Sequence, residues 1–347
     1  MKIKLLPDYP YLYETHMHTN IGSACESDTA DTSWMAGSVG VSTHWTSHTV
    51  NADGTRPRYD DAVARFDVRA YADTLAEAGA QHSIFTLTHA EQDLPFPLAA
   101  LDRILPGRTA RRDLVGDLIA ALAERGIHFI AYYNHSCNGD DDQAWKTACG
   151  YASGAMGGGL DRFADNICGI VGAISRRYGD GISGWWFDSG YSVDPRGPHN
   201  TITCDMGDWR FPWDALADAA QSGNPRTALA FNAGVGQNFA YTDRFDYYAG
   251  EAVKLDEPFS PAPLPGKQDH RWICLDSPDW VFSKIPPGTG FEVPPRFPDD
   301  ALAAYVREHV AAGRMVTFNI LIDDVGRINP APLAQLSRCM DAKPRPT

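Results

Sequence analysis

The run Gly184-Trp185-Trp186-Phe187 ends in a carboxylate, Asp188. An acid that follows a strand-like apolar run sits where a buried strand reaches its end. A carboxylate in that place can attack an electrophilic carbon or move a proton. Cleaving a bond between sugars takes two such groups in different environments. One is an ionised nucleophile and the other a protonated acid, about 5–5.5 Å apart when configuration is retained. The second candidate is Glu251, at the end of the run Phe245 to Gly250, with Glu91, Asp246, Glu257 and Asp276 as rivals. Other apolar runs end in His44-Trp45, in His89 and Glu91, in Tyr133-Asn134-His135 and in Asn232. Aromatic rings stack on pyranose faces, and His and Asn side chains bond hydroxyls. The candidate catalytic residues are Asp188 and a second carboxylate, Glu251 or one of its rivals. The candidate substrate-binding residues are His44, Trp45, His89, Glu91, Tyr133, Asn134, Trp186 and Asn232.

These residues converge only if the runs that carry them are parallel strands of one sheet. The spacing predicts strands at 40–43, 83–88, 127–133, 182–187, 227–231 and 315–320. Helical periodicity predicts helices over 68–78, 112–122, 163–178, 211–221 and 299–312. Strands alternating with helices imply a parallel sheet covered on both faces. No GxGxxG turn follows the first strand, which favours a closed barrel over an open dinucleotide-binding sheet. The fold class expected is α/β, a single-domain (β/α)8-like TIM barrel, whose active site forms at the C-terminal strand ends. Residues 1–33 read as a lead-in segment packed on the barrel, and 34–347 as the catalytic barrel. The stretches Pro258 to Pro265, Pro286 to Pro298 and Gly154 to Gly159 read as loops.

The chain has 347 residues and a formal net charge of -14. That charge argues against nucleic acid and against an anionic membrane surface as partners. Seven scattered cysteines with no CxxC pair read as free thiols of a reducing compartment. The first eight residues hold too short an apolar run for a signal peptide, and no later run is long enough to span a bilayer. The expectation is a cytoplasmic protein that takes a carbohydrate or glycoside as its partner and needs no cofactor or metal. The sequence leaves the oligomeric state open.

The chain resembles the catalytic domain of glycoside hydrolase family 29, the retaining α-L-fucosidases, in collinear motifs over roughly residues 34–340. Gly40 to Val50 resembles the early His-Trp motif, which implies that His44 contacts the sugar. Ala78 to His89 resembles the strand leading to a histidine pair. Arg112 to Asn134 resembles the next helix and strand, which implies Tyr133 as a pocket residue. Trp186-Phe187-Asp188 resembles the nucleophile motif, and Phe245 to Glu251 the segment holding a glutamate acid/base in some members. Phe318 to Ile328 resembles the closing strand and turn. Departures are His89-Ala90 for the histidine pair, Glu91 for the aspartate after it, and Ser189 for a glycine. Asn232-Ala233-Gly234 also lacks the family's arginine, and the β-sandwich common after the barrel is absent. The resemblance implies an α-L-fucosidase-like glycosidase acting by double displacement.

Two other readings stand beside it. One is a carbohydrate-binding barrel without turnover. The other follows from Glu14-Thr15-His16-Met17-His18-Thr19, which resembles the start of metal-dependent phosphoesterases of the polymerase-and-histidinol-phosphatase type. Their HxH supplies two metal ligands, and His44, His89 and His135 are candidates for more. Asp140-Asp141-Asp142 lacks the alternation of an EF-hand loop and reads as a solvated run.

Overall fold

The computed structural model describes residues 29–341 apart from 52, 140, 152–158, 199–200, 203 and 282–289. His16, His18, Asp140 and most of the lead-in segment lie outside the described residues.

The described residues form eight strands: β1 (Val39–Thr43), β2 (His82–Thr86), β3 (His128–Tyr133), β4 (Gly184–Phe187), β5 (Ala228–Phe231), β6 (Glu251–Ala252), β7 (His270–Cys274) and β8 (Met315–Asn319). They form one sheet in the order β5-β4-β3-β2-β1-β8-β7-β6. Every pairing in it is parallel. The two end strands meet without a ladder. Backbone N–H groups of Asp246 and Tyr247 donate to the Leu229 carbonyl at 2.8 Å and 3.3 Å. The Leu229 N–H donates to the Asp246 carboxylate at 2.9 Å. Asp246, a rival for the second carboxylate, thus closes the barrel.

The α-helices among the described residues are α1 (Tyr59–Arg65), α2 (Val68–Glu77), α3 (Ala99–Asp102), α4 (Leu114–Ala123), α5 (Gln143–Cys149), α6 (Gly159–Tyr178), α7 (Trp213–Gln221), α8 (Asp299–Ala311) and α9 (Pro330–Asp341). The TIM-type barrel expected from the alternation is present, with one simplification. The connections 232–250, after β5, and 253–269, after β6, carry no helix. Helix α4 starts two residues later than its periodicity predicts. Asp113 is its N-cap and accepts from the Gly116 N–H at 2.9 Å. Strand β7 was not expected from the sequence.

Strand alternation sorts the side chains into two cores. Ile84, Ile130, Tyr132, Trp186, Ala230 and Trp272 point into the barrel. Phe85, Ala131, Tyr133, Trp185, Phe187, Leu229 and Phe231 point outward under the helices. Low in the barrel, His82 and His270 each bond the Thr317 hydroxyl at 2.8 Å. Burial pushes His270 down to about 3, so it stays neutral there.

Candidate active site

A cavity of about 110 Å³ opens at the C-terminal rim, lined by His44, His89, Tyr132, Trp186, Asp188, Tyr191, Asn232, Glu251, Trp272 and Trp280. His44, Asp188 and Asn232 directly follow β1, β4 and β5, and Glu251 opens β6. Parallel pairing brings these strand ends to one rim. A larger cavity of about 500 Å³ lies on the flank between the 253–269 connection and α8. It shares no lining residue with the rim cavity.

Asp188 accepts four hydrogen bonds. Its Oδ2 takes the Tyr132 phenol at 2.5 Å and Asn134 Nδ2 at 3.1 Å. Its Oδ1 takes the Ser189 backbone N–H at 2.7 Å and Asn232 Nδ2 at 2.9 Å. Ser189 adopts φ 67°, an uncommon left-handed conformation for a residue with a side chain. Its hydroxyl is held by Asn134 Nδ2 at 3.0 Å and Asn138 Nδ2 at 2.6 Å. Its carbonyl accepts from His135 Nε2 at 3.0 Å. The Cys137 N–H donates to His135 Nδ1 at 3.2 Å, which puts the ring proton on Nε2. Burial lowers His135 to about 4, so this neutral support persists at ordinary pH. Burial and the Asp188 charge hold the Tyr132 phenol well above its usual range, which keeps it a donor.

Glu251 Oε2 accepts from the same Asn232 nitrogen, at 2.7 Å. Burial, then the Asp188 charge, raises Glu251 to about 7 against the opposing Asn232 hydrogen bond. Glycine at 250 aims this side chain. Gly250 takes φ 71°, and a Cβ there would stand 2.3 Å from the His270 carbonyl oxygen. Strand β6 can therefore press against β7 and turn Glu251 into the cavity.

Aromatic rings form the floor. Tyr132 stacks on Trp186 with centroids 5.2 Å apart, and Trp186 meets Trp272 edge-on at 4.3 Å. A hydrogen-bonded chain orients His44. Trp272 Nε1 donates to Ser42 Oγ at 2.5 Å, and Ser42 Oγ donates to Asn319 Oδ1 at 3.1 Å. His44 Nδ1 bonds the same Asn319 oxygen at 2.8 Å, which makes Nδ1 the protonated nitrogen.

Of the ten residues expected at the site, His44, His89, Trp186, Asp188, Asn232 and Glu251 line the cavity. Asn134 lies behind it, fully covered, on Asp188 and Ser189. Three expectations are corrected. Tyr133 faces outward into the helix layer, where its hydroxyl accepts from Gln92 Nε2 at 2.7 Å. The period of two gives the inward position to Tyr132 instead. Trp45 also belongs to the outer core, against Tyr59, Phe66 and Phe85. Glu91 lies outside the cavity lining and pairs with His48 at 3.4 Å and Arg56 at 3.2 Å. None of the rivals Glu91, Asp246, Glu257 and Asp276 lines the rim cavity.

The sequence reading missed Tyr132, Tyr191, Trp272 and Trp280. Alternation within 128–133 puts Tyr132 and Tyr133 on opposite faces, but both faces are buried, so the sequence does not say which one is inward. The run His270-Arg271-Trp272-Ile273-Cys274, with its aromatic and β-branched residues, carried a usable strand signal. Tyr191 and Trp280 sit on connections, where no periodicity marks them. Among the described residues no group of three or more His, Cys, Asp or Glu side chains is placed to hold a metal ion. No helix among them is long and apolar enough to cross a membrane.

No curated protein matches the chain. Solved structures of the same fold include an endo-fucoidan hydrolase of glycoside hydrolase family 107. It is 14% identical at a TM-score of 0.64, with 91% of this chain and 94% of that one covered. The α-L-fucosidase AlfC of Lactobacillus casei is 16% identical at a TM-score of 0.59, covering 88% of this chain and 96% of its own. A bacterial fucosidase bound to an iminocyclitol inhibitor is 15% identical at a TM-score of 0.58, covering 92% and 76%. The family model described as alpha-L-fucosidase matches residues 56–249, more than half of the chain and all of the segment from before β2 to the residue before Gly250. The chain therefore belongs to the α-L-fucosidase family of glycosidases.

Proposed function

We propose that this protein is a retaining glycosidase that removes a terminal α-L-fucosyl or closely related residue by double displacement. Asp188 is the nucleophile and Glu251 the acid/base. The observation that carries this reading is the bridge from one nitrogen, Asn232 Nδ2, to Asp188 Oδ1 at 2.9 Å and Glu251 Oε2 at 2.7 Å. Those two oxygens are no farther apart than the two bonds laid end to end. That bound fits the roughly 5–5.5 Å of a retaining pair and falls short of the about 6.5–9.5 Å that an inverting enzyme leaves for water.

The two carboxyl groups also differ in the required sense. Asp188 accepts in all four of its hydrogen bonds, the role of an attacking carboxylate. Glu251, raised to about 7, holds its proton below neutrality and in about half the molecules at it, ready for delivery to the leaving oxygen. Asp188 then attacks the anomeric carbon to form a glycosyl ester, and Glu251 returns as base to draw a proton from water. His44 and His89 offer polar atoms to sugar hydroxyls, and Trp186 and Trp272 offer faces to the ring.

The test is hydrolysis of 4-nitrophenyl α-L-fucoside beside a panel of other nitrophenyl glycosides. Proton NMR follows the anomeric form first released. Turnover of the fucoside with retention supports the reading. Inversion overturns the double displacement, and sugar binding without hydrolysis of any glycoside overturns the enzyme assignment.

A further inference from the structure

Asn232 is only 1% exposed and its amide has one possible orientation. Its Oδ1 accepts the Gly234 backbone N–H at 2.9 Å. Gly234 reaches that position with φ 105°, a conformation that suits glycine. Turning the amide over would set its NH₂ against that N–H and its oxygen against two carboxyl groups. The orientation is therefore locked, and one Nδ2 hydrogen goes to each carboxyl group.

The lock has a consequence for the acid. Glu251 Oε2 receives a hydrogen from Asn232 and is thereby an acceptor. A proton carried by Glu251 then belongs on Oε1, which has no protein partner among the described residues. Without the lock, the acid proton would be free to sit on either oxygen.

Resting on the assignment of Asp188 and Glu251 above, we propose that Asn232, locked by Gly234, is the positioning residue that fixes the transferable proton on Oε1 of Glu251 and ties that oxygen pair to Asp188. In the first step the Oε1–H bond breaks as the proton passes to the glycosidic oxygen. The bond from that oxygen to the anomeric carbon breaks, and a bond from Asp188 to the same carbon forms. In the second step Oε1 takes a proton from water, the water oxygen bonds the anomeric carbon, and the ester bond breaks. Oε2 stays on Asn232 throughout.

The test titrates Glu251 by ¹³C-carboxyl NMR in the full chain, in wild type, Asn232→Ala and Asn232→Asp. The Asn232 hydrogen bond opposes the upward shift of Glu251 from its ordinary value. Its loss in Asn232→Ala is expected to move the Glu251 midpoint up by about half a unit to one unit. Asn232→Asp is nearly isosteric and keeps an oxygen for the Gly234 N–H, which protects the fold. It sets an acceptor against both carboxyl groups, and the midpoint is expected to move up further. In kinetics, Asn232→Ala is expected to lose about 10–100-fold in kcat with KM within about threefold, and the alkaline limb of the pH profile should follow the NMR midpoint. An unmoved midpoint in both variants overturns the proposal. So does a raised KM at unchanged kcat, which would make Asn232 a contact to a sugar hydroxyl. The titration needs no substrate, so it still decides the role of Asn232 if the wild-type protein cleaves no glycoside.

Discussion

Tyr132 donates its phenol hydrogen to Asp188 Oδ2 across 2.5 Å, while its sequence neighbour Tyr133 points the opposite way and bonds Gln92 in the outer core. The pair gives a sharp contrast. A hydrogen bond to a charged group is worth about 1.5–3 kcal/mol, or roughly 10–100-fold in rate. Tyr132→Phe is expected to lose that much in kcat with little change in melting temperature. Tyr133→Phe should leave kcat within about twofold and cost about 1 kcal/mol of stability. Kinetics and thermal melts of the two variants measure it, and equal effects on kcat would contradict the facing of β3.

Asp188→Ala should lower kcat roughly 10,000-fold, the scale of losing a nucleophile. Azide fits the space left and should restore turnover on an activated aryl glycoside. The glycosyl azide formed should have the inverted anomeric configuration. Full activity in this variant would remove Asp188 from the mechanism.

The pH dependence follows from Glu251, which burial and the Asp188 charge raise to about 7. The acid is competent when protonated, so kcat/KM should be level well below pH 7, half-maximal near it, and approach a tenfold fall per unit further above it. Glu251→Gln should erase that alkaline limb and slow substrates with poor leaving groups most. A profile in which wild type and variant share the limb would assign it to another group.

Gly250→Ala forces a left-handed conformation on a residue with a Cβ and drives that atom against the His270 carbonyl at 2.3 Å. The expected loss is about 2 kcal/mol or more of stability. Glu251 is displaced with its backbone, so kcat should fall as well. A variant with wild-type melting and kinetics would show that β6 does not depend on this close approach.

Asp276 is buried, and burial raises it to about 6. Its Oδ2 accepts from the Leu321 N–H at 3.0 Å and from Asn329 Nδ2 at 2.9 Å. Among the described residues its Oδ1 and the Asn329 Oδ1 have no donor. A carboxyl group raised on folding adds stability below its unfolded value of about 3.9 and loses it as pH rises through about 6. Asn at 276 needs no proton and supplies a donor. Asp276→Asn should therefore match wild type near pH 4 and exceed it by up to about 3 kcal/mol at pH 8. Denaturant melts at the two pH values test this, and a constant difference would contradict it.

The alternation of strand and helix was legible because each β/α unit repeats a period-two run and a 3.6-residue stripe. Asp188 was legible for a related reason: it ends such a run, and parallel strands bring their ends together whatever the loops do. Strand β7 follows the Pro-rich connection 253–269, which carries no helix to mark a β/α unit, so it was not recognised, and Trp272 with it. Tyr191 and Trp280 enter the cavity from connections, which obey no period.

The amino-acid sequence by itself determined the barrel, the strand that carries Asp188 and the segment that carries Glu251, because hydrophobic periodicity is a local property of the chain. Tertiary structure decided which of Tyr132 and Tyr133 faces the cavity, since the inward face is set by pairing register and not by residue type. It also decided that Asn232, expected as a sugar contact, bonds both carboxyl groups. The shift of Glu251 arose in the same way, from burial and a charge brought from a distant strand. Each of these depends on distances between residues far apart in the chain, and only closure of the barrel sets them.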